Sequence, residues 1–526
     1  MPRRPVHRLR TAALLACLSV AQFATRDAFA QYGPVDPYES AVRVLREGVQ
    51  SRNDGLQHSA MVALRELRDP TTRTLLEKLL RCDDWSLRVD SVLGLAEIDS
   101  ARKVDPALIA ALPREADREL AISAVLALEL ADQDRIKTML GWDDVGAGQR
   151  VLLAGELRRL GGEPDRAELI KLLDSKTPEV AGLALAILLD LGAPEAGAAT
   201  ERVRTMIAEL PPRIRSAAVA QIADAASIDG LKGSAPFVAS LLALPDLAGD
   251  ARARALGSLL VLDADVGYPV LAKAVDADRS QVSLMRHSAI LLASGARAPA
   301  SEWNRLRNGD SLIETIADAG VLLAASDDAA AYRKLVGLKH RITLRAALEG
   351  GRRLGSSADR ALGLECLRLF ESDQRSLGQL LEPVMRALAR LAVVAPEELR
   401  PALERAASRS DAQEPLLLVL AAAGTPESAK VAMTASGKTS RLGEALITVV
   451  CARTSAELTP DELEVLANIA GGAVPIDPAV RVQASWLWLR HAKRLDGAIE
   501  AIASAADGGD SPAGTAPGNA TEGGTR

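Results

Sequence analysis

Aromatic residues are nearly missing from this chain of 526: four Phe, four Tyr and five Trp, or 2%. Strands of β-sandwiches favour aromatic and β-branched side chains, so the scarcity argues against that class. Cysteine is as sparse. Beyond the N-terminal region only Cys82, Cys366 and Cys451 remain, an odd number at wide separations and no disulfide framework. No apolar run reaches the ~20 residues that a transmembrane helix needs. Neither sign of charge prevails, with 63 basic and 69 acidic residues. What is abundant is aliphatic: the chain is 48% hydrophobic, mostly Ala, Leu and Val, and 25% charged. That balance excludes wholesale disorder and points to an all-α protein built of helical repeats.

The first thirty residues have the layout of a secretory signal peptide: Arg3, Arg4, Arg8 and Arg10, a short apolar stretch from Thr11 to Ala21, then Ala28-Phe29-Ala30. Cleavage there makes Gln31 the new N-terminus and the protein an exported one, periplasmic or secreted. A competing reading takes Leu14-Leu15-Ala16-Cys17 as a lipobox with a lipid on Cys17. It is disfavoured because few apolar residues separate Arg10 from Cys17 and Leu is uncommon at the middle position. Loss of residues 1–30 removes five Arg against Asp27, leaving 58 bases facing 68 acids. A chain of that charge is not expected to bind nucleic acid or anionic lipid broadly. The expected organisation is signal peptide 1–30, linker 31–36, helical repeats 37–505 and a Gly/Ala/Pro/Thr-rich disordered tail 506–526, in which Asn519-Ala520-Thr521 matches a glycosylation acceptor by coincidence of composition.

The repeat shows in the ends of successive apolar helices. Leu67, Ile98, Leu130, Leu160, Leu191 and Ile222 are spaced 31, 32, 30, 31 and 31 residues apart. In one unit Leu75, Leu76, Leu79 and Leu80 form a single stripe, Asp83-Asp84 offers an N-cap, and Trp85 to Ile98 is apolar around more than half its circumference. The unit is thus an amphipathic outer helix followed by an apolar inner one. Pro178–Leu191, Arg213–Asp224, Asp250–Leu262, Arg279–Leu292, Leu312–Leu323, Arg341–Leu354 and Pro478–Leu489 have the content of second helices, with longer connections expected near 223–250 and 355–391. Cys366 and Cys451 then lie two to three repeats apart; helix layers ~8–10 Å apart exceed the ~7 Å Cα reach of a disulfide, and each cysteine is expected as a small buried residue in a helix. Trp486 and Trp488, in the last strong second helix, are expected to seal the end of the array beneath a final helix, Lys493–Ala505. Trp85, Trp142 and Trp303, near turns, are expected to be packed; an exposed one there would be a binding anchor.

Asp477-Pro-Ala-Val480-Arg481-Val-Gln-Ala484 resembles the Asp-x-x-Val-Arg-x-x-Ala start of second helices in the HEAT-repeat family of armadillo-like proteins, as does Asp84-Trp-Ser-Leu87-Arg88 with Ser91 in place of Ala. Asp250 and Arg254 keep the charge spacing alone. The resemblance implies a right-handed αα-superhelix of about fourteen hairpins, with a ladder of Asp and Arg between neighbours. It implies little about activity.

No motif for chemistry is complete. His58, His287, His340 and His491 fall in different repeats, without His-Glu-x-x-His or the His-Glu dipeptides on which the HEAT-like deoxyhypusine hydroxylases depend. Ser436-Gly437-Lys438-Thr439 lacks the first P-loop glycine, and Gly146-Ala147-Gly148 lacks a third. The carboxylate pairs at 83–84, 143–144, 327–328, 263/265 and 276/278 suit caps at turns; none continues into a calcium loop. No cofactor, metal or catalytic residue is assigned. The expected function is a non-catalytic scaffold holding a protein or peptide on the concave face formed by the second helices. The alternatives are a lyase-like or chaperone-like protein binding a small prosthetic group, as phycobilin-lyase-related repeats do, and a structural protein of the cell envelope. The candidate partner site is Arg341, Arg345 and Arg352, which share a 40° stripe of one helix in a stretch, 333–368, with six more basic than acidic residues; Ile342, Ala346, Ala347 and Leu354 occupy the opposite half. An acidic protein segment is the partner such a stripe would grip.

Overall fold

A computed structural model describes residues 36–507 apart from 52, 436–439 and 455–456. The expected signal peptide with Cys17, the P-loop-like Ser436–Thr439 and the tail beyond 507 lie outside these residues. All regular structure among the described residues is helical, and no helix there is long and apolar enough to cross a membrane.

The second helices form where the apolar runs place them: Trp85–Ile98, Pro178–Asp190, Gly249–Leu262, Gln281–Ser294, Ser311–Ala324, Arg341–Leu354 and Pro478–His491. Each begins at a residue that ends the preceding turn. Asp84 accepts from the amides of Ser86 and Leu87, and Asp477 from that of Ala479, satisfying donors that the first helical turn leaves unpaired. Pro212–Asp229 runs past Ile222 to Gly230, whose φ of 69° makes the stop. Helical turns therefore occupy much of the expected long connection at 223–250, and the Ser356–Asp373 helix does the same at 355–391.

The fourth residue of many second helices is arginine, and its role is local. Arg88 donates to Cys82 O at 2.6 Å, Arg118 to Leu112 O at 3.0 Å, Arg150 to Trp142 O at 2.6 Å, Arg215 to Leu210 O at 2.9 Å and Arg481 to Val474 O at 3.3 Å. Each guanidinium thus ties down carbonyls of the turn that leads into its own helix, groups with no helical partner. Several also reach the next repeat: Arg88 Nε meets Asp117 at 2.8 Å and Arg118 meets Asp144 at 3.0 Å. Other rungs between neighbours are Arg65–Asp90, Arg158–Asp190, Arg254–Asp224, Arg286–Asp250 and Arg390–Asp359.

Each second helix packs on those before and after it, from Asp54–Leu67 through Trp85–Ile98, Glu115–Ala127, Ala147–Arg159, Pro178–Asp190, Pro212–Asp229 and Gly249–Leu262 to Gln281–Ser294. There the order shifts. Gln281–Ser294 lies chiefly against Arg341–Leu354, while Ser311–Ala324 packs on Asp328–Gly337. Gly350 permits this approach, since a Cβ at that position would collide with the carbonyl oxygen of Leu292. Trp303, expected to be packed, is buried with its indole over Gly320.

The succession continues through Leu381–Val394, Ser410–Ala423 and Arg441–Thr454 to Pro478–His491, which packs on Asp54–Leu67, the second helix of the first hairpin. The circuit of helices is closed. Trp486 and Trp488 therefore do not seal a free end: they belong to one apolar core with Leu45, Met61 and Leu64 of the first hairpin. In the outer layer the two ends interleave. Pro37–Val49 touches Pro460–Ala470 and Leu495–Asp507, and the latter rests on Arg73–Leu79. Ser40 Oγ donates to Ala470 O at 3.1 Å, and Arg453 pairs with Glu66 at 2.6 Å.

Candidate interaction surface

Arg341, Arg345 and Arg352 lie on the Arg341–Leu354 helix. Arg341 and Arg345 are exposed and Arg352 is half-buried. Arg345 bridges to Glu382 of the Leu381–Val394 helix at 2.7 Å, and Arg352 to Glu349 at 3.0 Å. Neighbouring bases of the 333–368 stretch are likewise met by acids from outside it: Lys334 by Asp318 at 3.5 Å, and Arg360 by Glu398. The excess of positive charge counted along the sequence is offset in part by three carboxylates of adjoining repeats, Asp318, Glu382 and Glu398. Ala346 and Ala347 face the core, whereas Ile342, expected with them, is 51% exposed.

Ile342 is one of a set that periodicity did not reveal. Trp85 is the first residue of its helix, Ile214 the third, Val282 the second and Ile342 the second. All four are exposed, Trp85 by 52% and Val282 by 72%. Trp85 is thus not packed as expected; of the turn tryptophans only Trp142 and Trp303 are shielded. The helices carrying Val282 and Ile342 run parallel, since Leu292 lies against Gly350 and Gly295 against Arg353 further along. Val282 and Ile342 therefore lie at the same end of two second helices that pack together, with Arg341 and Arg345 in the first turns of the one carrying Ile342. A large apolar side chain left partly in water forgoes part of the roughly 1.5–3 kcal/mol that full burial gives, and Val282 and Ile342, on two helices that pack together, form a candidate contact surface. The signal available in the sequence was an apolar residue immediately after the cap, ahead of the buried stripe.

The remaining titratable groups are embedded in packing. His287 is buried, 3.4 Å from Ser283 Oγ, and burial lowers its pKa, with the charge of Arg286 acting the same way. The His491 ring is 2.6 Å from Ala452 O, and burial lowers its pKa too. His58 stands 3.8 Å from Asp90, and His340 precedes the Arg341–Leu354 helix. Burial pushes the Cys366 and Cys451 thiols up to about 12. Cys82 departs from expectation by lying half-buried in the turn before Trp85, outside a helix. Asp263 and Asp327 cap helices, as Asp84 does. Asp229 ends its helix against the backbone of Gly155. Burial and the nearby Glu156 carboxylate push its pKa to about 7, against the opposing pull of Arg159. No group of three His, Cys, Asp or Glu side chains among the described residues is placed to hold a metal ion.

No protein-family model matches this chain, and neither a curated protein nor a solved structure does.

Proposed function

We propose that the chain is an exported, non-catalytic scaffold of HEAT-like repeats, about fourteen hairpins whose second helices close into a circuit, that holds another protein or a peptide on its second-helix layer. The observation that carries this reading is the set of exposed apolar side chains at the starts of second helices, Trp85, Ile214, Val282 and Ile342. The rungs of Arg and Asp between neighbouring repeats support the HEAT-like assignment. The docking edge includes Arg341 and Arg345, with Arg352 further along the same helix. The Arg345–Glu382 pair is no obstacle. Exposed ion pairs contribute only about 0–1 kcal/mol, so a partner carboxylate can replace Glu382 with little loss.

The test is capture by the full chain, with residues 1–30 removed, from its own periplasmic and secreted proteome, quantified by mass spectrometry. A protein retained by the parent should be retained at least about tenfold less by the V282S/I342S and the R341A/R345A/R352A variants, a loss of about 1.4 kcal/mol. Equal retention by the parent and both variants would overturn the assignment of this edge.

A further inference from the structure

The Leu495–Asp507 helix buries Leu495, Ala498, Ile499, Ile502 and Ala503, one stripe at i, i+3, i+4, i+7 and i+8. That stripe does not rest mainly on the adjacent Pro478–His491 helix. It lies against Arg73–Leu79, the turn at Pro70–Thr72 and Pro37–Val49, all from the other end of the chain. The Arg494 guanidinium sits over the Tyr38 ring, 5.7 Å from its centre. The Tyr38 hydroxyl approaches the backbone of Gly497. What joins this helix to the rest is Ala492-Lys493-Arg494, and Lys493 has a φ of 56°, a left-handed conformation that a lysine adopts at a cost. Two backbone bonds hold the turn, Lys493 N to Arg490 O at 3.1 Å and Arg494 N to Leu489 O at 2.9 Å.

We propose that the Leu495–Asp507 helix is an exchangeable arm: it docks on the N-terminal repeats of its own chain to close the circuit, or on those of a second copy to join two chains. The same residues make the same contacts in both forms, so exchange sacrifices none of the docking interface. Two features favour it. The arm's principal contacts lie across the seam, and its connection is short and strained, a combination that invites swapping. At low concentration the closed monomer prevails, because the tethered arm sees its own acceptor at an effective concentration in the millimolar range. Reciprocal exchange gives a closed dimer; one-way exchange gives longer chains.

Size-exclusion chromatography with light scattering, on the full chain from about 1 to about 500 μM, reads the two forms against that effective concentration. Lys493→Pro fixes φ near −65°, removes the amide given to Arg490 and drives Ala492 towards an extended conformation. It should raise the dimer-to-monomer ratio about tenfold or more, equivalent to one factor of ten in the exchange equilibrium. Lys493→Gly relieves the strained conformation and should give less dimer than the parent. Adding I499D and I502D to Lys493→Pro should return it to monomer. Lys493→Pro that stays monomeric throughout with unchanged helical circular dichroism overturns the proposal, as does a dimer that survives I499D/I502D. Should Lys493→Pro fail to fold, the parent and Lys493→Gly, partly opened in urea and returned to buffer at high concentration, decide it: more dimer from the parent supports exchange, and equal or no dimer overturns it.

Discussion

The indole nitrogen of Trp486 donates a hydrogen bond to the carbonyl oxygen of Ala60, 3.3 Å away across 426 residues of chain. The tryptophan is fully buried, so the first and last hairpins share one core. In an open array each repeat would answer only to its sequence neighbours; here the two ends answer to each other.

Trp486→Ala should therefore destabilise both ends, by about 3–5 kcal/mol. Hydrogen exchange measured peptide by peptide should show Pro37–Leu67 and Arg441–His491 losing protection together. Repeats around Pro178–Leu262 should keep theirs. Loss confined to the C-terminal hairpins would mean that the seam contributes little.

Arg88 and Asp117 are almost fully buried and joined to each other. Arg88→Leu strands the Asp117 carboxylate and should cost about 3–5 kcal/mol in urea unfolding, as should Asp117→Leu by stranding the guanidinium. The double variant should cost much less than the two single losses together, because no unpaired charge remains. Additive losses would show that the pair is not coupled.

Asp229 sets a pH dependence whose sign is fixed. Its carboxyl holds a proton up to about pH 7 in the fold, against an ordinary value of 3.8. Between those values folding takes up a proton, so its contribution is most favourable below about pH 4, falls as pH rises to about 7 and is level above. Asp229→Asn removes this slope. At pH 8 it should be more stable than the parent by up to about 4 kcal/mol, with the difference narrowing at pH 4.5; a gap independent of pH would place the titration elsewhere.

Gly350→Ala should loosen the joint between Gln281–Ser294 and Arg341–Leu354, since its methyl would meet Leu292 O. A loss of about 1–3 kcal/mol is expected. Gly337→Ala, with open space around the added methyl, serves as the control and should change stability little.

What could be read in advance followed from local chemistry. Trp85–Ile98 and Arg341–Leu354 have the bounds that their apolar residues and flanking breakers require, and Asp84 caps as a short carboxylate in that place should. The closure could not be read, because a helix apolar all round, such as Pro478–His491, shows that it is covered without naming what covers it. The charge at Arg345 was misjudged for a similar reason: Glu382, its partner, lies 37 residues away. Trp85 and Ile342 were expected to be packed and are exposed, because the first turn of a helix precedes the periodic stripe, and the same sequence pattern serves a residue there whichever way it faces.

The interleaved ends also bear on how the chain comes into being. Ala41, Leu45 and Val49 of the Pro37–Val49 helix are covered in part by helices beginning at Pro460, Pro478 and Leu495. At roughly 5–20 residues per second, those helices leave the ribosome about 20–90 s after the one they cover. Throughout that interval the earliest-made apolar face lacks its permanent neighbours, so a holding chaperone, or export before folding, would act on the N-terminal hairpin above all others.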